Sequence, residues 1–107
     1  MLLVRLNLLF VLLLLSAFVE ADITAVRQVE LESFLEQDCG SCHGLQRRGG
    51  LGSPLLPESL RAVDDATLVQ IILEGIPGTA MPPWKALLSE EEAAFLVQQL
   101  RKGLIKK

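Results

Sequence analysis

The chain has 107 residues, a net charge of −3 and half of its residues hydrophobic. That length bounds it to one small domain, and the charge balance is not that of a nucleic-acid binder. A domain of this size leaves much of its surface wet, and disulfides, metals or bound cofactors are the usual remedies.

The N-terminus reads as a targeting segment. Arg5 is the only charge before an apolar stretch from Leu8 to Val19, and Val19-Glu20-Ala21 has the small-residue pattern of a signal-peptidase site. Residues 1–21 are therefore expected to be a signal peptide and residues 22–107 the functional domain, soluble and exported to the periplasm. The alternative is a retained N-terminal anchor. Twelve residues of helix reach only about 18 Å, short of a hydrocarbon core of about 30 Å. Removing the segment takes away Arg5 and Glu20, so the net charge is unchanged.

From Thr24 to about Gln37, Val26, Leu31, Phe34 and Leu35 recur at three- and four-residue spacings, predicting a first helix. It runs into Cys39-Gly40-Ser41-Cys42-His43. Gly49, Gly50, Gly52, Pro54 and Pro57 then predict a loop, with a short turn after Pro57. Asp64 is the expected N-cap of a second helix through Leu73, with Leu68, Ile71 and Ile72 on one face and Gly75 as its stop. Pro77, Gly78, Pro82 and Pro83 forbid regular structure in the next segment. Ser89 with Glu90, Glu91 and Glu92 forms a capping box, so the last helix begins there, buries Ala93, Leu96, Val97 and Leu100, and ends at Gly103 before a basic tail of Lys106 and Lys107. No convincing alternating segment appears. The expected fold is all-α, three main helices joined by long Gly/Pro loops.

A C-x-x-C-H run is the attachment signature of c-type haem. Cysteines at i and i+3 lie on one turn, close enough for thioethers to the two vinyl groups of a porphyrin edge, and the following histidine sits over the iron. Cys39 and Cys42 are thus the expected covalent anchors of one haem c and His43 its proximal ligand. A thiol-redox pair needs a βαβ context, and a tetrahedral zinc site needs further Cys or His ligands. Beyond the leader the chain has one histidine and one methionine. Met81 lies in the rigid run Gly78-Thr79-Ala80-Met81-Pro82-Pro83 and is the expected sixth ligand, rather than a core gap-filler. His/Met ligation raises the reduction potential and fills both axial positions, which favours electron transfer over oxygen chemistry.

The order helix, C-x-x-C-H, Gly/Pro loop, helix, methionine loop and final helix resembles class I cytochrome c. Asp38 to Gly44, Gly49-Gly50-Leu51-Gly52 and Gly75 to Trp84 resemble, more closely, the small NirC-type cytochromes of denitrifying bacteria, encoded beside the haem-containing nitrite reductase. The resemblance implies that the carbonyl of Pro54 accepts a hydrogen bond from the proximal histidine, and that Phe34 crosses the last helix at Phe95 or Leu96 unless it is generic core. Trp84 either covers a haem edge, donates to a propionate or packs as core. Arg47 and Arg48 read as a solvated loop pair, with propionates or an acidic partner as the alternative.

The leading functional expectation is a periplasmic one-electron carrier, not an enzyme, serving nitrite reduction. Its redox protein partners, nitrite reductase or a haem-maturation enzyme, would dock on Leu45, Leu51, Pro82 and Pro83, without nucleic acid or stable membrane insertion. One alternative is a redox role in maturing the reductase's special haem. The other is a gas-binding or sensing protein, against which Met81 and the lack of a distal histidine count.

Overall fold

Helix α6, Glu90–Lys102, is the pillar against which the other core helices pack in the computed structural model, which describes residues 1–15 and 22–104. Ala93, Leu96 and Val97 on its inner face are 0% exposed, and Leu100 completes the stripe. Ser89 caps its first turn: the Ser89 hydroxyl accepts from the Glu92 amide at 3.1 Å while the Glu92 carboxylate accepts from the Ser89 amide at 2.9 Å. Gly103, at φ 79°, ends it.

The other elements in chain order are α1 (Leu2–Leu15), α2 (Ala25–Phe34), a π-helical turn (Leu35–Cys39), α3 (Gly40–His43), α4 (Pro57–Leu60) and α5 (Asp65–Glu74). The described residues contain no strand, in agreement with the all-α expectation. The Thr24 and Asp64 side chains cap α2 and α5 as N-caps do, by accepting amide protons from Arg27 and Thr67. The predicted turn after Pro57 is α4. The expected cleavage point after Ala21 and the tail residues Lys106 and Lys107 lie outside the described residues. No described helix is long and apolar enough to cross a membrane.

Two stripes differ from their sequence reading. Val26 is 72% exposed rather than core. The residue facing α6 at that level is Arg27, which sets the inward register through Leu31 and Leu35 and leaves Val26 about 100° away on the helix. In α5 the buried residues are Leu68, Val69 and Leu73, with Ile71 and Ile72 only half-buried. The i, i+4 pair Val69 and Leu73 extends the buried face beyond the expected one.

Polar clamps hold both ends of α6. At its start the Arg27 guanidinium reaches across from α2 and grips Glu92 at 2.6 and 3.3 Å, Glu30 at 2.9 Å and the Leu87 carbonyl. At its end Arg101 donates to the carbonyls of Leu60 and Val63 and to Asp65. Hydrogen bonding to Arg27 and to the Ser89 amide holds the Glu92 carboxyl below the usual carboxylate range, and the Thr67 amide does the same for Asp64. Stability from a depressed carboxylate is present above its unfolded-state pKa and is lost as pH falls through the folded one. Melting temperatures should therefore fall on acidification below the usual carboxylate range. Glu92→Gln, which keeps the cap geometry but not the charge, is expected to flatten that limb, and an unchanged acid profile would contradict the assignment.

Candidate haem-attachment site

The turn carrying the two cysteines grows directly out of α2. Its π-helical turn puts one extra residue into the helix just before the motif, a distortion that tends to occur at functional sites. Leu35 remains buried while Cys39 packs, half-buried, against the edge of the core. Cys42 is also half-buried, and neither cysteine is in a disulfide. Burial, with the neighbouring Asp38 charge, pushes the Cys39 thiol up to about 11. An attacking redox thiol needs the opposite, a depressed pKa, so Cys39 is unsuited to that part. Nor does any group of three or more His, Cys, Asp or Glu side chains converge among the described residues, as a zinc site requires.

His43 closes the turn, and its ring is pinned. Nδ1 lies 2.6 Å from the carbonyl oxygen of Ser53. A carbonyl only accepts, so Nδ1 is the donor, and in the neutral ring this tautomer leaves the Nε2 lone pair for a ligand. The resemblance places the Pro54 carbonyl in this role; in the structure the acceptor is the carbonyl one residue earlier. Pro54 acts through its ring instead, because the residue before a proline is confined to extended backbone, which fixes the direction of the Ser53 carbonyl. Gly52 makes the approach possible: a Cβ there would lie 2.7 Å from two atoms of the imidazole.

The loop after His43 folds back onto the motif. Gly52 and Gly49 donate to the carbonyls of Cys42 and His43, both at 2.8 Å, which satisfies the helix-end acceptors that would otherwise be orphaned. Arg47 donates its amide to Gly44 and accepts at its carbonyl from Leu55. Leu45 and Leu51 are left facing solvent at 65% and 79% exposure.

Met81 is half-buried in the loop between α5 and α6. The loop is braced at each end. Ile76 donates its amide to the Met81 carbonyl at 3.2 Å, and the Thr79 hydroxyl donates to the Ile76 carbonyl at 2.7 Å while accepting from the Met81 amide at 3.3 Å. Gly75 has φ 67°, and a Cβ on it would lie 2.7 Å from the Met81 carbonyl oxygen, so only glycine fits. Beyond Met81 the Trp84 amide donates to Ile72, and the indole meets Phe34 edge-on with centroids 4.9 Å apart. That pair ties the methionine loop to the helix that delivers Cys39. The aromatic ring partner of Phe34 is thus Trp84, which packs partly buried against the core, rather than Phe95.

Sequence reasoning missed two features. The Ser53 carbonyl was signalled by the X-Pro rule. The half-burial of Arg47, expected to be solvated like the exposed Arg48, had no sequence signal.

Paired unbridged cysteines on one turn, a histidine whose Nδ1 is held by a carbonyl and a methionine in a braced loop are residue types that fit haem c, and the further ligands a zinc site needs are absent among the described residues.

Comparison with known proteins agrees. The family described as Cytochrome C oxidase, cbb3-type, subunit III matches residues 27–98. Cytochrome c55X of Pseudomonas aeruginosa is 53% identical over 76% of this chain and 68% of its own length. The solved structure of the c-type cytochrome NirC is similar with a TM-score of 0.72 and 51% identity, covering 74% of this chain and 93% of that one. A dihydro-heme d1 dehydrogenase of Pseudomonas aeruginosa is 41% identical over 64% of this chain, but over only 14% of its own length.

Proposed function

The chain belongs to the cytochrome c55X family of small c-type cytochromes, and on that premise we propose that it is an exported, periplasmic one-electron carrier serving nitrite reduction. It has the all-α class I cytochrome c fold, binds one haem c covalently and is not an enzyme. Haem c, when bound, supplies a one-electron iron couple. In this reading residues 1–21 are the export signal and residues 22–107 the cytochrome domain. Cys39 and Cys42 would hold the group by their sulfurs, and His43 Nε2 and the Met81 thioether would be the protein ligands of its iron.

The observation that carries the reading is the 2.6 Å contact between His43 Nδ1 and the Ser53 carbonyl. It fixes ring orientation and tautomer and strengthens imidazole donation, as outer partners of metal-bound histidines do. With both an imidazole and a thioether as ligands, oxygen or peroxide would have to displace one of them, which disfavours sensing and peroxidase chemistry. Exposed Leu45, Leu51, Pro82 and Pro83 offer an apolar docking face of the small, short-lived kind used in redox encounters. In stopped-flow mixing, the reduced protein should pass electrons to the haem-containing nitrite reductase faster than a mismatched cytochrome does. Equal or slower transfer would remove that partner.

A second reading is supported by the likeness to part of a dihydro-heme d1 dehydrogenase: the chain accepts electrons while the reductase's special haem is made. Deleting the gene separates the two. A reductase that still acquires its full cofactor complement leaves the carrier role, and one that lacks it indicates maturation.

A further inference from the structure

Arg47 follows His43 in the loop that folds over the attachment turn, and its state is unusual in three respects. Its backbone sits at φ 58°, the only non-glycine residue at positive φ among those described, in a conformation that side-chain-bearing residues avoid. Its amide bonds to Gly44 and its carbonyl receives Leu55, so the fold imposes that conformation from both sides. Its guanidinium is half-buried, with Nη1 shielded from solvent and lacking a hydrogen-bond partner among the described residues. Arg48, its neighbour, is exposed.

A guanidinium stays charged in proteins, so this is a partly buried cation rather than a neutral group. Its backbone bonds to Gly44, next to His43, and to Leu55 place it on the loop that folds over the attachment turn, and Glu36 is the one acidic group that acts on it. Burial weakens screening, so such a charge acts more strongly than one in water. The couple at the site is ferric iron plus one electron, taken from a reduced partner protein, giving ferrous iron with one unit less positive charge. A fixed cation nearby therefore favours the reduced side.

We propose that Arg47 is the potential-setting cation of this site: held half-buried on the loop that clasps the Cys39–His43 turn, it stabilises the reduced state and raises the reduction potential. The proposal rests on the haem-carrier reading above. It also explains why a strained, incompletely paired arginine stands where a solvated one was expected.

The test is a mediated redox titration of the mature, haem-loaded protein. Arg47→Gln should lower the reduced-to-oxidised ratio at a fixed applied potential by about tenfold, a downward shift of about 59 mV for one electron. Arg47→Lys should stay close to the native value, and Arg48→Gln should leave it unchanged. A haem-loaded Arg47→Gln protein with the native potential, or an equal shift from Arg48→Gln, overturns the proposal. If Arg47→Gln yields no haem-loaded protein, Arg47→His decides, with Glu36→Gln as its reference. Removing the Glu36 charge raises the potential by itself, so the deciding readout is the pair: the Arg47→His potential should fall relative to the Glu36→Gln protein as pH rises through the imidazole range and the charge at position 47 is lost, and a pH-independent difference overturns the proposal. A native chain that is colourless after maturation would instead defeat the carrier reading itself.

Discussion

Met81→Ala is expected to abolish the far-red sulfur-to-iron charge-transfer band of the oxidised protein and to let the reduced protein bind carbon monoxide rapidly at neutral pH. The reasoning begins with supply: the only other methionine is Met1, in the segment read as the export signal. It continues with placement. The loop around Met81 is closed by the Ile76 and Thr79 hydrogen bonds and by Gly75, none of which uses the Met81 side chain, so the loop should survive the substitution with only its thioether missing. Met81 also lies outside the buried core, so the variant should fold. The expected change is close to all-or-none in the band, with the far-ultraviolet helical signal retained. An unchanged oxidised spectrum would mean that some other group holds the sixth position.

Leu96→Ala should be the most destabilising single core truncation. Leu96 is 0% exposed at the middle of α6, the helix that packs against α2, α4 and α5. Truncating such a leucine costs about 2–5 kcal/mol, through lost transfer energy and the cavity left behind. Small domains have only about 5–15 kcal/mol in all. Denaturant midpoints should fall accordingly with little change in slope, whereas Leu96→Ile, which conserves volume, should cost less than about 1.5 kcal/mol. A loss below about 1 kcal/mol for the alanine variant would show that α6 is not the centre of the core.

How much of this was legible in the sequence depended on whether a feature was local. The caps at Asp64 and Ser89, the stops at Gly75 and Gly103 and the stripe Ala93, Leu96, Val97 and Leu100 are written in short-range chemistry and stand in the structure where expected. The inward register of α2 was off by one residue at Val26, because Arg27 takes the inner position through a partner, Glu92, that only tertiary packing supplies. The carbonyl that orients His43 was displaced from Pro54 to Ser53 for a similar reason. Composition announces the proline, but which neighbouring carbonyl points at the ring depends on how closely Gly52 lets the loop approach. The burial of Arg47 and the pairing of Phe34 with Trp84 depend on contacts between segments far apart or on loop shape, and periodicity carries neither.

The most direct measurement is an intact mass and a redox titration of the exported protein, purified from a host competent in c-type maturation. The expected result is a chain beginning at Asp22 with one haem added, neither cysteine titratable, and a single reversible one-electron transition. A colourless chain in which Cys39 and Cys42 both react as free thiols would contradict it.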